Sequence, residues 1–228
     1  MTSELKTAFM NMIRKHVSDP ASRTSTNTVD TFAGDNAEQN FELTNNSLIY
    51  IDSIKVDGVS QRILRDYEIY FGKARGDKPQ IIFYTAPVNT AVIVVDYYYG
   101  TNWIFFGYPQ VKATMPRIGM LARDGQMIPA GVGDIEHYTY PKFNIIISVR
   151  SGVEYEINGL KYSGEKLLDY LTDQIRKSVR DIRSSMEIGW LITANFEGDE
   201  QIRFEEAPDL IGKSCVIGCQ FQWNYPSA

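Results

Sequence analysis

The chain has 228 residues, 43% hydrophobic and 22% charged, enough to bury a core in one large domain or two small ones. Its formal net charge of −5 argues against a general nucleic-acid binder, whose surface carries a basic surplus. Neither a secretory signal (a basic start, then an apolar run) nor a stretch near 18 apolar residues is visible, so synthesis in a cytoplasm is the expectation.

Leu5, Ala8, Phe9, Met12, Ile13 and Val17 recur at steps of three and four, which predicts a helix over 5–17. Pro20 ends it, because the residue before a proline avoids the helical region. Residues 21–27 are polar and turn-rich and read as a linker. From 28 to 100 the pattern changes to short strands, expected over 29–32, 40–43, 48–56, 66–71, 80–84 and 91–99. Turn signals rich in Gly, Asn, Asp and Pro separate them, which suggests a sandwich or barrel.

Residues 102–116 are mixed. The segment 119–134 holds Gly119, Gly125, Pro129, Gly131 and Gly133 and is expected to be a hairpin tip or extended arm rather than one regular element. Residues 142–150 read as a strand. A long helix follows over 163–186, with Leu167, Leu168, Leu171, Ile175, Val179 and Ile182 as its apolar stripe. Strands are expected over 190–196 and 215–225. The predicted class is therefore α+β: a β-β-α-β-β sheet packed on one long helix, with the first helix in the same layer and an inserted all-β sandwich. The domain division is 1–27 with 101–228 for the α+β part, and 28–100 for the insert.

The residues for common chemistries are missing. His16 and His137 are the two histidines, and no Gly-x-Ser-x-Gly elbow accompanies them. Cys215 and Cys219 have no nearby histidine for a zinc site, and in a strand their spacing of roughly 13 Å exceeds disulfide reach, so they read as buried thiols. No phosphate or dinucleotide loop is present. Glu197, Asp199, Glu200, Glu205 and Glu206 read as a solvated hairpin tip. Arg75, Gly76 and Asp77 form an adhesion-type tripeptide explained by turn geometry. The basic run Arg176, Lys177, Arg180 and Arg183 is either a solvated helix face or a surface that meets DNA; the interleaved acids Asp169, Asp173, Asp181 and Glu187 favour the former. No enzyme, cofactor or metal is expected.

The succession Phe32 to Asp35, Asn40 to Leu43, Ile54 to Gly58, Asp66 to Ile69, Ile81 to Phe83, Ala86 with Pro87, and Val92 to Tyr97 resembles β-sandwich modules of virion proteins from tailed bacteriophages. The remainder resembles the tail terminator, or tail completion, proteins of the phage neck. That likeness rests on the first helix, the strand bearing Met115 to Ile118, the strand 143–149, the helix start at Tyr162 to Glu165 and two last strands. It implies a structural virion protein, made in the host cytoplasm, that forms a sixfold ring. Its implied partners are other copies of itself, the tail tube protein, the head connector or stopper, and the sheath if the tail is contractile. DNA would pass through the lumen without specific binding, and no membrane is involved. Met127, Ile128, Tyr138 and Tyr140 are the expected subunit contact. The alternatives are another tail or baseplate component, or a carbohydrate-binding β-sandwich with Tyr97, Tyr98, Tyr99 and Trp103 as its aromatic platform.

Overall fold

Short alternating runs fold into paired strands, and two amphipathic runs fold into helices. The result is an α+β protein, mostly β, with two helices among the described residues. The computed structural model describes residues 3–72, 77–107, 114–129, 136–185, 187–205 and 207–224, with the backbone alone at 3, 123–129, 136–137, 183–185 and 223–224.

Helix α1 (Ser3–His16) opens the chain. It is followed by β1 (Ser25–Ala33), β2 (Asn40–Glu42), β3 (Leu48–Val56), β4 (Val59–Ser60), β5 (Tyr67–Tyr70), β6 (Gln80–Phe83) and β7 (Val92–Gly100). These strands make two antiparallel sheets, ordered β1-β7-β3-β4 and β2-β6-β5. The sheets touch through aromatic rings. Phe32 on β1 meets Phe41 on β2 at 5.4 Å across the sheets, and within the second sheet Phe41 meets Phe83 of β6 edge-on at 5.7 Å. β1 begins at Ser25, inside the segment expected to be a linker. It pairs with β7 along its whole length, from Ser25↔Gly100 to Ala33↔Val92. Thr101 N–H donates to the Thr24 carbonyl at 2.9 Å, so the chain enters and leaves this region side by side. Gly100 is needed there, because a Cβ would overlap the Thr24 carbonyl oxygen.

The second half contains β8 (Ile104–Phe106), β9 (Arg117–Pro129), β10 (Glu136–Arg150), the hairpin β11 (Glu154–Ile157) and β12 (Leu160–Ser163), α2 (Gly164–Ser185), β13 (Leu191–Arg203) and β14 (Leu210–Asn224). Five of these strands form one sheet, ordered β13-β14-β10-β9-β8. Its long strands are antiparallel, and β8 lies parallel to β9. Two expectations change here. Residues 119–129, expected to be irregular, belong to β9, because a glycine in a covered strand needs only a neighbour on the rung, and Gly119 has Ile146. Glu197, Asp199 and Glu200, expected in a hairpin tip, lie within β13, where cations hold two of them. Residues 130–135 and Glu206 lie outside the described residues.

The central strand β10 is buried from Phe143 to Val149 on both faces. On one face, Phe143 stacks on Phe9 of α1 at 4.4 Å, and the stripe of α2 packs into the same core. On the other, the Ser214 hydroxyl donates to the Asn144 side-chain carbonyl at 2.8 Å. The small cluster Met115, Ala207, Leu210 and Phe204 lies apart from the main core.

Helix α1 was expected beside α2. It also packs on β3, and it reaches β8 through a side chain, so it joins the two halves. The reason lies at the edge of β3. β4 pairs only with Lys55 and Val56, so the rest of that edge needs other partners. Asn11 supplies a strand-like pair: its amide donates to the Ile51 carbonyl at 3.0 Å, and its carbonyl accepts from Ile51 N–H at 2.7 Å. The register of β3 on β7 shifts at Ile49 and Asp52. Those bulged residues turn their carbonyls to α1, where Arg14 takes Ile49 at 3.0 Å and Lys15 takes Asp52 at 2.8 Å. Arg14 also donates twice to the Ile104 carbonyl of β8, at 2.7 and 3.1 Å, and lies 4.7 Å from the Phe71 ring centre.

Asn11→Leu would remove both bonds to Ile51 while filling similar space. A loss of about 3 kcal/mol in urea unfolding is expected, since two buried backbone groups lose their partners. A change under about 0.5 kcal/mol would show that water replaces the amide.

Candidate functional site

The β9–β10 hairpin is the region that the sequence marks for contact. Its strands pair from Ser148↔Arg117 out to His137↔Pro129. The register shifts between Tyr140 and Lys142, where Pro141 has no N–H to give to a ladder. Met127 pairs with Thr139, and Ile128 pairs with Tyr138. Met127, Ile128, Tyr138 and Tyr140 therefore share the outer end of one hairpin. The side chains of Met127 and Ile128 lie outside the described residues. Tyr138 and Tyr140 are half-buried, and the Tyr140 hydroxyl accepts from the Gln220 amide at 3.3 Å. β14 also reaches this end, with Phe221 on Thr139 and Asn224 on Glu136, so the arm is three strands wide.

The basic run of α2 divides. Arg176 donates to Asp173 at 2.8 Å, lies 3.6 Å from Asp199 and sits 4.7 Å from the Phe196 ring centre. Lys213 joins the same network through Asp169 at 2.6 Å and Asp199 at 3.2 Å. Arg176 is thus held by this chain's own carboxylates, while Lys177 and Arg180 are exposed. The side chain of Arg183 lies outside the described residues. Three carboxylates against two cations leave that network no positive surplus for a phosphate backbone.

The proposed aromatic platform is not assembled. Tyr97 and Trp103 are buried, because Tyr97 points into the first-half core, where its hydroxyl donates to Asp30 at 3.0 Å. Tyr98 instead stacks on Tyr50 at 4.6 Å. One shallow cavity of about 480 Å³ lies at the β5–β6 end, lined by Glu42, Tyr70, Asp77, Lys78 and Gln80. Lys78 pairs with Glu42 at 2.8 Å across it. Arg75 and Gly76 lie outside the described residues.

Cys215 and Cys219 are buried free thiols on β14, and burial pushes Cys215 up to about 12 and Cys219 higher still. Such thiols are poor nucleophiles. His16 sits at the end of α1, half-buried, with Nε2 buried and without a partner among the described residues. Desolvation lowers its pKa; Glu187, Asp181 and Asp52 oppose the shift, and Lys15 adds to it. The side chain of His137 is not described. No cluster of three or more His, Cys, Asp or Glu suited to a metal occurs among the described residues. No helix among them is long and apolar enough to cross a membrane.

The residues that reasoning from sequence missed are Asn11, Arg14 and Lys15. A signal was available: Met10, beside Val17 on the helix, widens the apolar face of α1. No known family model matches the sequence, and a search of curated proteins returns no match.

His16 gives a pH test. Its folded pKa lies below the ordinary 6.5, so under pH 6.5 the unfolded chain binds more protons. Its contribution to stability is complete above that pH and falls as the solution is acidified. Between pH 7 and 5.5, His16→Gln should lose less stability than the parent in urea titrations. Equal losses would mean that the imidazole titrates normally.

Proposed function

We propose that this chain is a structural protein of the phage virion. In this reading it forms a ring in the neck that terminates the tail tube and joins it to the head connector. The observation that carries the reading is the side-by-side entry and exit at Thr24 and Thr101, with Ser25 paired to Gly100. A module joined through adjacent ends can be placed within another domain without parting its elements. That supports 28–100 as an inserted β-sandwich, and 1–27 with 101–228 as a terminator-like domain. With the β11–β12 hairpin set aside, the order β9, β10, α2, β13, β14 is compatible with the β-β-α-β-β frame of the resemblance.

The chemistry of the site suits assembly. Met127, Ile128, Tyr138 and Tyr140 gather at the outer end of the three-stranded arm, and tyrosine gives contact area at low entropic cost. Cyclic closure repeats one heterologous contact, so an arm on one copy needs a receiving surface on the next. The partners in this reading are other copies, the tail tube protein, the connector or stopper and, in a contractile tail, the sheath. DNA passes through the lumen, and a chain of net charge −5 favours passage over adhesion. Lys177 and Arg180, exposed on α2 and outside the carboxylate network that holds Arg176, are the cations that would meet it.

The test is the solution mass of the purified protein, with negative-stain images alone and after mixing with tail tubes. A ring near six times 25.9 kDa with an open centre, or a cap on tube ends, is expected. Single chains under both conditions would remove the neck reading.

A further inference from the structure

We propose that the first half of β13 is the receiving edge for a second copy of this chain, which adds the outer half of its β9 as the next strand. The inference rests on the ring reading and names the surface that would close it.

The five-stranded sheet ends in two edges, and each is guarded along one half. On the β13 side, the half from Glu197 to Arg203 carries Glu197, Asp199, Glu200 and Arg203, the kind of charge that blunts an edge. The half from Trp190 to Phe196 has no charged residue. It exposes Trp190 at 41% and Ile192 at 46%, two of the largest apolar side chains left in solvent among the described residues. The register shifts at Ile192 and at Glu197 leave Thr193 to Phe196 as a straight run between them. On the opposite side, β8 covers β9 only from Ile118 to Met120. From Leu121 to Pro129 no described residue pairs with the outer side of β9.

The unguarded halves stand at one level. Leu191 lies on the rung of Phe221, Thr139 and Met127; Asn195 lies on the rung of Gly218, Lys142 and Arg123. The four long strands alternate in direction across the sheet. An even number of alternating strands makes β13 and β9 antiparallel, so a second copy placed beside the first continues the alternation, and the two edges part beyond Phe196, where β8 of that copy stands level with Asp199 to Gln201. The two edges differ, so the contact is head-to-tail and propagates into a ring if the rotation closes. Both edges belong to the same chain, which makes a second copy the occupant that fits. Exposed Trp190 and Ile192 would be covered at the junction.

Two variants of the full chain test this. Ile192→Lys places a charge in the unguarded half, and its circular dichroism and melting should match the parent. A second protein carries Asn195→Cys and Arg123→Cys. Within one chain these positions are three strand spacings apart, about 14 Å, beyond disulfide reach, whereas between copies they share a rung. Cys215 and Cys219 are buried and leave little background. The expected result is an assembled parent, a single-chain mass for Ile192→Lys, and a ladder of oxidised multimers on a non-reducing gel. An assembled parent whose Ile192→Lys form keeps its mass, or whose cysteine pair gives no ladder, overturns the edge while leaving the ring reading in place. A parent that stays a single chain, alone and on tail tubes, overturns both.

Discussion

The structure depends on how the open edge of β3 is satisfied. A buried strand edge needs donors and acceptors, and a helix cannot offer its backbone, which is occupied internally. Side chains must do it. Asn11, Arg14 and Lys15, at i, i+3 and i+4, lie along one helical row and reach Ile51, Ile49 and Asp52. The bulges at Ile49 and Asp52 turn two carbonyls toward that row. Because Arg14 also holds Ile104 of β8, one guanidinium ties the first-half sheet to the edge of the five-stranded sheet. Burial lowers its pKa to about 9, still above neutral pH, so it stays a cation held by carbonyl dipoles. Removing it would leave carbonyls on both sides without donors, at a cost of about 1–3 kcal/mol each.

Much of the β framework was legible because its signals are local. Turn signals at each end set β3 at 48–56 although its alternation is partial, and the stripe from Leu167 to Ile182 set α2 within a residue at each end. The role of α1 was not legible. Periodicity records which face is apolar, and bonds from a side chain to a distant backbone leave no period. Residues 119–129 were misread because glycine was weighed as a breaker, whereas Gly119 sits on a covered rung. The acids of β13 were misread because exposed charge resembles loop composition, yet Glu197 pairs with Lys142 and Asp199 with Lys213. Of the candidate contact, the shared hairpin end of Met127, Ile128, Tyr138 and Tyr140 comes from the β9–β10 pairing, and no strand was expected over 119–129. The burial of Tyr97 and Trp103 was not legible either, since an aromatic in a strand fits either face until the partner sheet is placed.

The halves of the five-stranded sheet differ in how far this chain completes them. Toward the start of β14, intrachain contacts fill the surface. Phe204 lies over Gly212, where a Cβ would meet its ring; Arg150 pairs with Asp209; Lys213 and Arg176 gather Asp169, Asp173 and Asp199. Toward the end of β14 the sheet narrows to three strands, and the tyrosines of β10 are half-buried.

That asymmetry bears on the charge. An acidic chain repels its own copies at long range, and salt screens exposed charges beyond about 8–10 Å. Close contact between copies is then easiest where charge is lowest. The carboxylates of β13 sit beyond Phe196, and those nearest the core are paired within the chain. Along β13, self-repulsion is therefore concentrated on the half already completed, and the half from Leu191 to Phe196 is left with apolar area and an outer side that no described strand pairs. With one half closed by charge, the same edge can bind one strand and stop.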